Sequence, residues 1–180
     1  MIIGLTGKKR SGKDTAAQAL VARGYTQLSF AAPLKAMIRA LLAWADYTPT
    51  HIDRMVDGDL KEHVALEGKT ARYLMQSLGT EWGREHVSPG IWVNLCIDKA
   101  LRCQNAVISD VRFPNEAEAI RKAGGKIVKI FRRGTDASDS HPSEAIDLIQ
   151  PDMAIYNNWS VKDLHEAIVR YIFSLGYETA

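Results

Sequence analysis

The residues with the clearest chemical meaning stand at the start of the chain, in the run Gly7-Lys8-Lys9-Arg10-Ser11-Gly12-Lys13-Asp14-Thr15. Their spacing is G-x-x-x-x-G-K, that of a phosphate loop (P-loop). Gly7 and Gly12 let the backbone wrap closely around phosphate oxygens, and the loop between them, through Arg10 and Ser11, turns its N–H groups inward. A helix beginning near Gly12 adds the positive end of its dipole. Lys13 is placed to reach the β- and γ-phosphates of a nucleoside triphosphate. The pattern usually continues with a Ser or Thr that serves Mg²⁺, but here Asp14 stands at that position and Thr15 follows. Asp14 could act on the metal directly or through a water, or Thr15 could supply the hydroxyl; the sequence leaves both open. A glycine turn that merely joins a strand to a helix is the plainer alternative. The match between motif and flanking elements favours the phosphate cradle.

A second set of residues could complete a phosphate-transfer site. Asp110 closes the apolar stretch Ala106-Val107-Ile108-Ser109. In a parallel sheet the carboxyl end of such a strand lies beside the phosphate loop, where a carboxylate can order metal-bound waters or cationic partners. A helix-capping aspartate ahead of Pro114 is the alternative. Arg112 lies two residues on. Arg132-Arg133-Gly134 follows another apolar run and opens a polar stretch, 132–142, that reads as a lid bringing cations to the transferring phosphoryl group; an ordinary solvated loop is the alternative. His141 lies at the far end of that stretch, as plausible at a helix start as at a ligand. His51, His63, His86 and His165 show no metal-ligand spacing. The four tryptophans read as core or pocket walls, because no basic stripe accompanies them as it would on a nucleic-acid stacking platform.

These residues need elements to hold them. Ile2–Thr6 reads as a buried strand, and the helix after Gly12 places Ala16, Ala19 and Leu20 on one face before Gly24 stops it. Tyr25–Phe30 can form a second strand. From about residue 33 to 90 the alternation gives way to helical stretches, 34–44 and 70–78, read as an insertion within one domain of 180 residues. Strands return at Ala106–Ser109, Lys126–Phe131 and Met153–Tyr156. Between them lie a helix opened by Pro114 and ended by Gly124-Gly125, and a short helix at Ser143–Ile149. Ser160 and Asp163 form a capping box for a last helix, with Val161, Leu164, Ile168 and Ile172 on its buried face. Strand, glycine loop, helix, strand is the opening of an α/β fold with a parallel sheet flanked by helices.

Composition bounds the rest. The chain is 46% hydrophobic and 24% charged, and 23 basic against 21 acidic residues leave a formal charge of +2. That balance argues against a general nucleic-acid binder. Cys96 and Cys103 show no CxxC spacing and read as reduced thiols. No stretch reaches the ~20 apolar residues of a membrane span, and no leader precedes the glycine loop, so a cytoplasmic location is expected.

Four runs together carry a family likeness: Gly7–Thr15, Phe30-Ala31-Ala32-Pro33-Leu34-Lys35, Gln76-Ser77-Leu78-Gly79-Thr80-Glu81-Trp82-Gly83-Arg84, and Asp110-Val111-Arg112-Phe113-Pro114-Asn115-Glu116-Ala117. The chain resembles the bacteriophage-type deoxynucleoside monophosphate kinases from Met1 to about Leu164. The resemblance implies a P-loop kinase fold, use of ATP and Mg²⁺, and transfer of a phosphoryl group to a deoxynucleoside monophosphate. It also makes Asp14 an ordinary feature of the loop. It implies further that Arg72, Arg84 and Arg112 bind the acceptor phosphate, that Lys35 and Gln76 contact the acceptor, and that 33–90 is its helical binding insertion. By the same resemblance the turn at Asn157-Asn158 would border the adenine, with ordinary turn chemistry as the alternative. Animal-type phosphomevalonate kinases share the loop variant, so another small-molecule kinase, such as one of that type or a coenzyme-A-precursor kinase, is a rival reading. A non-catalytic nucleotide sensor is the rival from another class, disfavoured because a sensor needs no second phosphate site. The expected partner is a small molecule, with neither nucleic acid nor membrane; a homodimer is left open.

Overall fold

The computed structural model describes residues 1–134 and 143–176. The chain divides into two compact units, 1–30 with 96–180 and 31–95.

The first unit is built on a five-stranded sheet. Its strands are β1 (Ile2–Thr6), β2 (Thr26–Leu28), β5 (Ala106–Val111), β6 (Lys126–Phe131) and β7 (Met153–Tyr156), in the order β2-β5-β1-β6-β7. Every pairing is parallel, as the expected α/β pattern requires. Parallel strands covered on both faces read as continuous apolar runs, and β1 is buried at all five positions. Ile3 and Leu5 join the core under α1 (Lys13–Val21) and α8 (Val161–Ser174), whose mutual faces are Ala16, Ala19 and Leu20 on one side and Leu164, Ile168 and Ile172 on the other. Alanines on α1 let the helix sit close to the sheet. Gly4 faces the opposite side, where any side chain would collide with Ile120 of α6 (Pro114–Lys122) and with Ile127. A buried cation in β6, Lys129, donates at 2.9 Å to Asp147 and fastens the short helix α7 (Ser143–Asp147) to the sheet.

The last helix has the capping box expected of it. Asp163 N–H donates to Ser160 Oγ at 3.2 Å and Ser160 N–H to Asp163 Oδ2 at 2.9 Å. One assignment on that helix fails: Val161 is 58% exposed. It stands at the first helical position, before the turn that meets the core. Strand β2 is also shorter than Tyr25–Phe30, because only Thr26–Leu28 pair with β5.

The second unit packs α2 (Ala32–Trp44), α3 (Pro49–Val56) and α4 (Ala71–Ser77) around Ile38, Leu42, Met55 and Val56. Thr48 and Thr70 cap α3 and α4, accepting from His51 N–H and Tyr73 N–H. Three elements here are not legible in the sequence. A two-stranded antiparallel hairpin, β3 (Val64–Leu66) and β4 (Lys69–Thr70), turns through Glu67 and Gly68, both at positive φ. Helix α4 continues into a π-helical segment, Leu78–Val87. That segment is held by Trp92 of α5 (Ile91–Leu101), whose indole N–H donates to the Gly79 carbonyl at 2.8 Å. Gly83 leaves room for the same indole, since any Cβ there would collide with it. The tryptophans are not all pocket walls or core: Trp92 is buried, whereas Trp44 is 89% exposed. Among the described residues no helix is long and apolar enough to cross a membrane.

Candidate functional site

The phosphate loop leaves the carboxyl end of β1, the middle strand. There β5 and β6 end on either side, with Thr6 paired to Val111 and to Lys129. Gly7 is at φ 143° and lies so close to β6 that a Cβ would strike the Ile130 carbonyl. Arg10 is at φ 65° and Gly12 at φ 106°. Three positive-φ residues within six turn the loop sharply, as phosphate loops do to bring N–H groups to face an anion. For Arg10 this conformation is costly, and such strain is characteristic of ligand-gripping loops. Gly12 then caps α1.

The side chains sort themselves differently from the motif. Ser11 is fully buried, its hydroxyl without a hydrogen-bond partner, as is that of Thr6. Its backbone is engaged as well, the N–H donating to the Lys8 carbonyl at 3.1 Å and the carbonyl accepting from the Asn157 side-chain amide at 2.8 Å. Lys13 Nζ donates to the Gly7 carbonyl at 2.7 Å and to the Lys8 carbonyl at 2.8 Å, so the ammonium sits at the mouth of the loop. Burial, and then the nearby Arg112 guanidinium, hold its pKa below the ordinary lysine value; Asp14 and Asp110 oppose that shift. The same electrostatics place Asp14, Asp110 and Arg112 around Lys13. Asp14 is exposed on the first turn of α1 and Thr15 is half-buried. Among the described residues no three acidic, His or Cys side chains form a metal cage. Two carboxylates beside a phosphate loop nevertheless suit Mg²⁺, which usually takes one or two protein carboxylates and completes its shell with water and substrate phosphate.

Asp110 stands one residue inside the end of β5, and its Oδ1 accepts from Phe30 N–H at 2.8 Å. It does not cap the helix that begins at Pro114. That task falls to Glu116, which is buried and accepts from Arg112 N–H at 2.7 Å and Phe113 N–H at 3.1 Å. Glu116 thus fixes the backbone from which Arg112 projects. The signal for that role is present in the sequence, an acidic residue at the third helical position after a proline start, yet reading the motif alone misses it.

Arg132 and Arg133 are exposed where β6 ends, and Gly134 follows at φ 79°. The rest of the expected lid, 135–142, including His141, lies outside the described residues. Asn157 and Asn158 are both occupied. The Asn157 side-chain amide donates to the Ser11 carbonyl at 2.8 Å, and Asn158 Oδ1 accepts from Arg133 N–H at 3.2 Å. A cavity of about 390 Å³ lies alongside, lined by Tyr156, Asn157, Trp159, Ser160 and Arg170 among others.

The candidates in 31–95 have a different character. Lys35 is paired with Asp57 at 2.7 Å. Arg72 is paired with Glu62 through its Nε. Gln76 is exposed and Arg84 half-buried. Arg39, unread in the sequence, bridges Asp53 and Asp57. Cys96 and Cys103 are free thiols as expected; burial, with Asp110 and Glu116 next, pushes Cys96 up to about 12.

Comparison with known proteins brings these observations together. Residues 55–168 match the family model for deoxynucleotide monophosphate kinase. A protein of Acanthamoeba polyphaga mimivirus, named for the same activity, is 32% identical over 189 residues, covering 94% of each chain. The deoxynucleotide monophosphate kinase of Escherichia phage RB69 is 28% identical over 107 residues, 56% of this chain and 44% of the phage protein. The chain thus spans nearly all of one relative and less than half of the other. Among solved structures, the shikimate kinase of Aquifex aeolicus superposes with a TM-score of 0.56 at 13% identity, covering 98% of this chain and 100% of that one. That likeness is one of fold, the P-loop kinase fold.

Proposed function

The chain belongs to the deoxynucleotide monophosphate kinase family, and we propose that it transfers the γ-phosphoryl group of ATP to a deoxynucleoside monophosphate in a single in-line step. An oxygen of the acceptor phosphate attacks the γ-phosphorus while the bond to the β-bridging oxygen breaks. The products are ADP and a deoxynucleoside diphosphate. The observation that carries the reading is the convergence of Lys13, Asp14, Asp110 and Arg112 at the phosphate loop. Phosphoryl transfer asks for positioning and for charge neutralisation, and this cluster supplies both.

Each residue then has a task. The loop backbone from Gly7 to Gly12, Arg10 included, grips the triphosphate oxygens. Lys13 exchanges carbonyl contacts for β- and γ-phosphate oxygens. Asp14 or Thr15, with Asp110, would hold Mg²⁺, which when bound neutralises charge on the β- and γ-oxygens. Arg112 and the exposed Arg132 and Arg133 offset charge on the transferring group. Lys35, Arg72, Gln76 and Arg84 of residues 31–95 take the acceptor, the guanidinium groups pairing two phosphate oxygens at once. A general base is unnecessary, because a phosphate monoester, with a second pKa near ~6, is already anionic at neutral pH.

The test is ADP release, coupled to an optical readout, over a panel of the four deoxynucleoside monophosphates, their ribose counterparts, phosphomevalonate and dephospho-coenzyme A. Turnover with at least one deoxynucleoside monophosphate and none with the others supports the reading. Turnover only with a non-nucleotide acceptor, or none at all, would sink it.

A further inference from the structure

The phosphate loop is gripped from outside by one side chain. Asn157 follows β7 and continues its pairing, its backbone N–H donating to the Phe131 carbonyl at 2.7 Å. That bond fixes where the residue stands. Its side-chain amide then reaches across 146 positions of sequence to donate to the Ser11 carbonyl at 2.8 Å. The fit is close: a Cβ on Gly12 would collide with Asn157 Nδ2 and lie 3.1 Å from Leu164 Cδ2. So Gly12 is required twice, for its left-handed φ of 106° and for the space the amide occupies.

The carbonyl that Asn157 holds belongs to the peptide joining Ser11 to Gly12. In a planar trans peptide the C=O and the N–H point in opposite directions. Fixing the Ser11 oxygen toward Asn157 therefore fixes the Gly12 N–H away from it. In a phosphate loop the N–H groups must face the anion, and a peptide flip here would present a carbonyl dipole to it. The neighbouring hydroxyls do not share this work: Ser11 Oγ and Thr6 Oγ1 are buried and make no hydrogen bond of their own.

We propose that Asn157 is a positioning residue for phosphoryl transfer, one that holds the Ser11–Gly12 peptide with its N–H toward the triphosphate and makes no direct contact with the nucleotide base. The inference rests on the kinase reading above and deepens it. It differs from the adenine-bordering role that the position in the chain suggested, and the two roles separate experimentally. A base contact matters only when a base is present. A clamp on the loop matters for any polyphosphate.

Asn157→Asp keeps the size and replaces the donor by a carboxylate facing a carbonyl, while Asn157→Ala simply removes the donor. Calorimetry measures the affinity of each for Mg·ATP, Mg·GTP and inorganic tripolyphosphate with Mg²⁺. The loss should be the same factor for all three ligands, about tenfold for Ala and on the order of a hundredfold for Asp, since the latter leaves two acceptors opposed. Steady-state kinetics should show a raised KM for ATP and a lowered kcat, with the KM for the acceptor unchanged. A loss confined to ATP, sparing tripolyphosphate, would overturn the proposal in favour of a base contact; so would unchanged affinity in both variants. If Asn157→Asp does not fold, the Ala variant, checked by its melting temperature, decides alone. If the unaltered protein binds neither ATP nor tripolyphosphate, it is the kinase reading that has failed.

Discussion

The candidate cations at the phosphate loop and those in residues 31–95 are held in different ways. At the phosphate loop, Lys13 donates to two neutral carbonyls, and its burial, then the nearby cation Arg112, depress its pKa against the opposing pull of Asp14 and Asp110. In residues 31–95 the candidate cations lean on carboxylates: Lys35 on Asp57, Arg39 on Asp53 and Asp57, Arg72 on Glu62. A polyanionic triphosphate entering the first environment relieves repulsion. A phosphate monoester entering the second must share a guanidinium with an acid or displace it. On the proposed reading the phosphate loop would bind its ligand strongly, and the cations of residues 31–95 would bind an acceptor phosphate more weakly and exchangeably, in competition with their carboxylates.

The sharpest way to break this contrast is at Lys13. Lys13→Ala removes the charge that answers the γ-phosphate, at a residue that is not part of the core. Turnover should fall by at least about a thousandfold, the loss of a charge stabilised mainly in the transition state, with the melting temperature little changed. Near-normal turnover would mean that the loop does not hold the donor.

On the acceptor side the effects should be smaller. Arg72→Ala and Arg84→Ala each delete a charge-assisted contact of about 1.5–3 kcal/mol, or roughly 10- to 150-fold in acceptor affinity. The KM for ATP should hardly move. If both variants raised the ATP KM instead, the division of labour between the units would be wrong.

The loop is legible from sequence because its requirements are local: glycines at two positive-φ positions, a lysine at a helix start, a strand before them. So are the strands of the sheet, whose burial on both faces writes itself as unbroken apolar runs. What cannot be read depends on partners distant in the chain. Nothing near Asn157 announces the carbonyl of Ser11, and nothing near Gly79 or Gly83 announces the indole of Trp92 that stabilises the π-helical segment. The sequence leaves Asp110 between site and helix cap, and what it cannot show is that Glu116 accepts from the Arg112 and Phe113 N–H groups at that helix start. The ion pairs of Lys35 and Arg72 are likewise invisible, since Asp57 and Glu62 stand on other elements or loops.

The depressed pKa of Lys13 gives the contrast a pH signature. Its folded-state pKa lies below the ordinary lysine value, so in the free protein its charge is lost earlier as pH rises, and affinity for ATP should decline on the alkaline side. Bound triphosphate favours the charged form, so binding there is accompanied by proton uptake. Arg112→Ala removes the second cause of the depression and should move this alkaline limb to higher pH. Lys13→Arg should abolish the limb, because a guanidinium does not titrate in that range. The check is ATP affinity measured against pH for the three proteins; an unmoved limb in Arg112→Ala would separate Arg112 from Lys13.

The smallest effect tests the exchangeable side directly. Arg72 and Glu62 are 45% and 68% exposed, so their pairing contributes at most about 1 kcal/mol. If Glu62 competes with the acceptor phosphate for the guanidinium, Glu62→Gln should lower the acceptor KM by about two- to fivefold, the equivalent of that energy. The ATP KM should stay where it is. The competition also predicts a coupling: in an Arg72→Ala background the Glu62→Gln change should do nothing, because the cation being contested is gone. Added salt, which screens an exposed pair, should shrink the difference between the Glu62→Gln variant and the unaltered protein. A rise in acceptor KM on Glu62→Gln would reverse the assignment. Glu62 would then hold Arg72 in the geometry that receives the phosphate, and the acidic residues of 31–95 would be part of the acceptor site instead of its counter-ions.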